Sequence, residues 1–237
     1  MTTQEKNGIT EGVIWKQLLI FFFPILVGSF FQQLYNTVDS VIVGQFVGKE
    51  ALSSVGGSAG QIISLVVGFF TGVSTGATVI ISQYFGAGKK EEIEESLHTA
   101  YAFALVGGLV LGIAGIVFAP QMLRWMNTPE ELIAESVLYV RVYFSGLIFI
   151  FIYNMGAAIL RAVGDSKRPL YYLIVCSVVN IILDLLLILV IPLGVLGAAI
   201  ATLIAQAVSA VLVTVTLMEG RPGCCPRCGL CCRDRVF

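Results

Sequence analysis

In a chain of 237 residues, 57% are hydrophobic and 12% charged, about half the charge of a soluble domain, for which roughly 25% is usual. A mean hydropathy of +0.91 leaves too little polar surface to solvate a globule of this size, so lipid is the expected solvent. The net charge of −1 excludes the concentrated basic surface that nucleic acid demands.

Residues 1–16 are polar and read as a cytoplasmic N-terminal segment. The first predicted span, 17–43, is too long for a signal-peptide core and lacks a convincing cleavage site, so it reads as retained. Pro24 lies inside it and must remove one backbone hydrogen bond, which kinks the helix or gives it a hinge. Further spans are predicted at 58–83, 99–119, 142–160, 170–191 and 195–218, the last two separated by Pro192, Leu193 and Gly194. All six must be helices, since an open sheet edge does not survive in lipid and no barrel-type alternation is present. The fold class is therefore an all-α membrane protein, a six-helix bundle over 17–218.

The connections carry the charge. Lys6, Lys16, Lys89, Lys90, Arg161, Lys167, Arg168, Arg221, Arg227, Arg233 and Arg235 fall on one side, against Lys49, Arg124 and Arg141 on the other. Eleven against three places both termini in the cytoplasm. Glu91, Glu92, Glu94 and Glu95 read as a solvated turn before the third span, and His98 as an interfacial residue. Arg141 with Trp125, Tyr139 and Tyr143 reads as a group of interface anchors. Glycines at 68, 72 and 76, glycines at 108 and 112, and Gly197 with Ala201 mark faces where helix backbones are expected to approach closely.

Two acids fall within the apolar segments, Asp39 and Asp184. Each costs about 2.5–3.5 kcal/mol at a helix centre, so an interior or water-lined position is expected, the alternative being a place at the membrane rim. Gln32, Asn36 and Asp39 share one face of the first span, and Ser177, Asn180 and Asp184 one face of the fifth. Thr202 and Gln206 share a face of the sixth. Two polar stripes that each end in a carboxylate suit a hydrated cavity that takes up a proton or a hard cation such as Na⁺. Oxygen ligands are what such a cation requires, and desolvation followed by rehydration is what loads and releases a proton.

Several segments together resemble the multidrug and toxin compound extrusion (MATE) family. They are QLYNTVDSVIVG at 33–44, QYFGAGKK at 83–90, LRAVGDSKRP at 160–169, Asn180 with Asp184, and GAAIAT at 197–202. The resemblance covers about residues 10–218 in order. It implies one lobe of a twelve-helix transporter in the plasma membrane, exporting cationic or amphipathic drugs in exchange for H⁺ or Na⁺. It also implies a coupling site formed by Asp39, Asn180, Asp184 and Thr202, and it matches Pro24 to the kink of helix one. Gln32, Asn36, Ser177 and Gln206 are the accompanying cavity-lining candidates. A second lobe, supplied by a missing half or by a homodimer, is then the expected partner besides membrane lipid. No phosphate-binding GxxxxGK[ST] loop occurs, so an ion gradient is the expected energy source, and neither enzymatic activity nor a cofactor is expected.

Residues 219–237 break the pattern, with Cys224, Cys225, Cys228, Cys231 and Cys232 in a short polar tail. The favoured reading is a reading frame interrupted after about Leu217, which makes the tail foreign and the chain a truncated product that is either inactive or half of a carrier. A metal knuckle built on Cys225, Cys228 and Cys231 is the alternative. A flippase for lipid-linked polysaccharide is a further alternative for the bundle, although such cargo calls for Arg or Lys inside the cavity.

Overall fold

The computed structural model describes residues 14–191 and 193–219. The cysteine-rich tail and most of the N-terminal segment therefore lie outside the described residues. Eight helices follow in order: α1 (Ile14–Ile42), α2 (Lys49–Gly56), α3 (Ser58–Gly86), α4 (Lys90–Trp125), α5 (Glu130–Ser145), α6 (Leu147–Ala162), α7 (Lys167–Asp184) and α8 (Val195–Glu219). Two π-helical turns interrupt this regularity, Val43–Val47 after α1 and Leu185–Val190 after α7.

Four helical stretches, Ala51–Gly86, Glu91–Trp125, Lys167–Val190 and Val195–Met218, are long and apolar enough to cross a membrane. Helices α5 and α6, bent by 48° to each other, are together long and apolar enough for a fifth crossing if the pair is one span. With its 29 residues, α1 reaches about 44 Å at 1.5 Å per residue, more than the roughly 30 Å of hydrocarbon. The chain is thus an all-α, multi-pass membrane protein. Its outer surface matches the lipid: Phe23, Leu65 and Val190 are each about two-thirds exposed or more.

Two expected spans change shape. The third extends to Lys90–Trp125, because Glu91 and Glu92 in its first turn favour helix there and carry it out of the apolar zone. His98 is exposed, 4.0 Å from Glu94, as an interfacial residue should be. In place of a straight fourth span, α5 and α6 meet at Gly146, where a Cβ would stand 3.0 Å from the Leu203 side chain. Arg141 consequently lies inside a helix instead of a loop, and its Nε donates to the Ile116 carbonyl at 3.3 Å.

Helix α6 packs against α3, α4 and α8, while α8 adds contacts to α5 and α7, so these two form the centre. Phe151 of α6 stacks on Phe70 of α3 with ring centroids 3.4 Å apart. Helix α1 sits at the edge, resting on α7. The glycine faces divide. A Cβ at Gly108 would stand 2.8 Å from the Ile148 backbone, one at Gly112 3.0 Å from the Phe144 carbonyl, and one at Gly197 3.1 Å from the Leu187 carbonyl. At Gly68, Gly72 and Gly76 it would meet nothing among the described residues. The ridge on α3 has the spacing of a contact face without a described neighbour.

A methyl group at Gly115 would collide with the buried Phe144 ring. Gly115→Ala should therefore destabilise the chain by about 1–3 kcal/mol, the usual range for an overpacked contact. Gly72→Ala should leave stability unchanged or slightly higher. Thermal unfolding in detergent, followed by circular dichroism, checks both; equal melting of the two variants would refute the assigned packing.

Candidate functional site

The fifth-span stripe faces inward. Asp184 and Asn180 are each 0% exposed, and Ser177 is buried above them on α7. Thr202 comes from α8, where the Asn180 amide nitrogen donates to its Oγ1 at 3.4 Å. Asp39 arrives from α1, half-buried, and its carboxyl lies within electrostatic reach of that of Asp184. The four residues expected to form a coupling site are thus contributed by α1, α7 and α8 to one region.

What distinguishes the region is the chemistry of its unmade bonds. Asp39 Oδ1, Asn180 Oδ1, both Asp184 oxygens and Gln206 Oε1 are buried without a hydrogen-bond partner. These five atoms are all acceptors. Buried polar atoms are nearly always paired, so such a set is one that water, a proton or a cation can satisfy. No basic side chain supplies the missing positive charge. Among the described residues the ion pairs are Lys89–Glu92, His98–Glu94 and Arg168–Asp165, all elsewhere.

Three tyrosines surround the acids. Tyr35, Tyr139 and Tyr143 all lie within electrostatic reach of Asp39, and Tyr139 also of Asp184. The rings of Tyr139 and Tyr143 are 6.2 Å apart. Both were expected as interface anchors, and the structure corrects this. Tyr139 is buried and Tyr143 half-buried, whereas Trp125 stays 74% exposed at the end of α4. The pair at i and i+4 gave a signal for one helical face, but only burial tells which face.

The accompanying candidates separate. Gln206 belongs with the unpartnered oxygens, and Ser177 uses its hydroxyl on the Leu173 carbonyl at 2.8 Å. Asn36 is exposed on α1. Gln32 lines a different, small cavity together with Pro24 and Arg161.

The chain is similar to known proteins. The model of the MatE family matches residues 24–186. The chain is 33% identical over 223 residues to the probable multidrug resistance protein YoeA of Bacillus subtilis (strain 168), covering 92% of this chain and 47% of that protein. It is 34% identical over 203 residues to the probable multidrug resistance protein YpnP of the same organism, covering 84% and 45%. Among solved structures, an outward-facing multidrug resistance MATE family transporter of the MOP superfamily superposes with a TM-score of 0.85 at 27% identity, covering 92% of this chain and 48% of that one. The chain spans about half the length of the relatives it matches.

Asparagine at 184 would bring two N–H donors into a group of acceptors. Asp184→Asn should therefore melt no lower than the unaltered chain, with a gain of about 1 kcal/mol for each hydrogen bond formed. Asp184→Leu should keep the fold while removing any stabilisation by added Na⁺. Unfolding in detergent with and without Na⁺ measures both; a large loss of stability in Asp184→Asn would mean that the carboxylate already has donors.

Proposed function

Since the chain belongs to the MatE family, we propose that it is the ion-coupling lobe of a secondary exporter. The lobe drives cationic or amphipathic compounds across the cytoplasmic membrane in exchange for H⁺ or Na⁺. Both termini lie in the cytoplasm on the strength of the positive-inside bias. The observation that carries the reading is the group of five buried acceptor oxygens without donors. Five buried acceptors with no donor among the described side chains suit a visiting proton or cation.

Asp39 and Asp184 would alternate between a loaded state, with a proton or Na⁺ between them, and an empty state opened to water. Asn180, Thr202 and Gln206 would complete the oxygen set. Each ion crossing 100 mV supplies about 2.3 kcal/mol, enough to bias two conformations that differ modestly. Because alternating access needs two repeats that move against each other, a second six-helix lobe is part of the proposal.

Dye efflux tests it directly. Cells lacking their own exporters would carry the chain with its natural downstream region, and loss of a cationic fluorescent dye would be followed over time. Asp39→Asn and Asp184→Asn should each slow efflux about tenfold or more, since each removes a charge that the proposed coupling ion or proton would bind. Collapse of the coupling gradient should abolish efflux. Unchanged rates in both variants would sink the assignment of the coupling site.

A further inference from the structure

The last turn of α6 carries Arg161 into a small cavity instead of into solvent. The cavity, of about 80 Å³, lies where α1 at Pro24 meets the end of α6 and the start of α7. One water needs roughly 10–15 Å³, so there is room for a larger group. Tyr153, Ser166 and Gln32 share the wall with the guanidinium.

Arg161 has no counter-charge. It is half-buried, and no carboxylate among the described residues pairs with it. Its neighbour Asp165 is engaged elsewhere: one carboxylate oxygen is 3.1 Å from Arg168 Nε, and the other accepts the amides of Lys167 and Arg168 at 3.2 Å each. Ser166 is buried, and its hydroxyl forms no cap to α7. The Tyr153 hydroxyl reaches the Pro169 carbonyl only at 3.4 Å. The cavity thus holds one positive charge without a carboxylate beside it, among polar side chains that include Gln32 and Asn154. A partly buried cation is costly until a counter-charge stands beside it. A guanidinium fork fits two oxygens of a phosphate-type group at once.

We propose that this cavity is an oxyanion site, in which Arg161 grips a phosphate-type group and the hydroxyls of Ser166 and Tyr153 add further donors. A phospholipid head group and free phosphate present the same oxygens to it. With one wall from α1 and the others from α6 and α7, a bound anion ties the proline-containing part of α1 to the bundle. The site is separate from the acid group. Pro24 and Asp39 are fifteen residues apart on α1, about 22 Å along the axis, and the charge preference is opposite. It stands whether or not the chain exports drugs.

Two probes distinguish the sources. The purified chain in an uncharged detergent is dialysed to equilibrium against radiolabelled inorganic phosphate. In phosphatidylcholine vesicles it is titrated with spin-labelled phosphatidylglycerol, whose immobilised fraction is read by electron paramagnetic resonance. At least one probe should bind saturably, near one per chain. Arg161→Gln should weaken that binding about tenfold or more, and Arg161→Lys should weaken it less. Arg124→Gln, at the exposed end of α4, should leave it unchanged. Saturable phosphate binding identifies a free oxyanion, and saturable binding of phosphatidylglycerol alone a head group. The proposal is overturned if the unaltered chain binds neither probe saturably, or if Arg124→Gln weakens binding as much as Arg161→Gln does.

Discussion

Oxygen atoms that have nothing to accept from are the constraint around which this bundle is built. In water an unpaired carboxylate costs nothing. Between apolar helices each unmet acceptor costs about 1–3 kcal/mol, and more where it is charged. Asp39, Asp184, Asn180 and Gln206 contribute five such atoms. An interior evolved for stability alone would put hydrophobic side chains there, or an arginine against the acids. Neither has happened. The tyrosines within electrostatic reach of the acids carry no positive charge to neutralise them. The rest of the lobe must therefore be stable enough to hold an unsatisfied centre, and the tightly packed contacts of α6 with α3, α4 and α8 provide that.

Both helices that carry acids leave α-geometry just beyond them. Asp184 ends α7 and is followed at once by the π turn Leu185–Val190; Asp39 precedes the π turn Val43–Val47 by one helical turn. The two π segments touch each other. A π turn holds an extra residue, so it rotates the side chains that follow relative to those before it. Asp184 at the end of α7 is 0% exposed, while Val190 at the end of the π turn is 72% exposed. The close approach of α8 uses the same distortion, since Gly197 leaves space beside the Leu187 carbonyl inside the π turn. Geometry and chemistry are joined here: the turn that follows the acid weakens the regular backbone bonding beside it.

Much of the centre was legible because polar residues in apolar helices have few structural excuses. Asn180, Asp184 and Thr202 stand out of their spans by composition alone, and helical spacing puts the first two on one face. Tyr139 and Tyr143 were not legible, since an aromatic pair beside an arginine reads equally well as a membrane-interface anchor. Which face of α5 packs inward depends on the helices around it, and spacing within α5 alone does not tell. Arg161 was hidden for a related reason. Counted as a loop charge it supports the topology, but its place in the last turn of α6 determines that it lines a cavity. Gln32 shares a face with Asp39, yet seven residues of rise, about 10 Å, bring it to that cavity instead. The glycine spacing on α3 and α4 is the same to the eye, and only the neighbouring helix decides which ridge is filled.

On the proposed reading, a single lobe can hold the ion site by itself although it cannot transport by itself, for a physical reason. The unpartnered oxygens and the tyrosines around them come from α1, α5, α7 and α8, each supplied by this chain. Loading them with a proton or a cation is then a local event that changes the electrostatics between α1 and α7 without reference to another lobe. Translocation is different, because it needs a barrier that closes on one side as it opens on the other, and one bundle has nothing to close against. The edge position of α1, packed on α7 with most of its apolar face outward, makes it the element most free to respond to that charge. On the proposed reading, ion occupancy sets where α1 lies, and a second lobe converts the displacement of α1 into access for the compound.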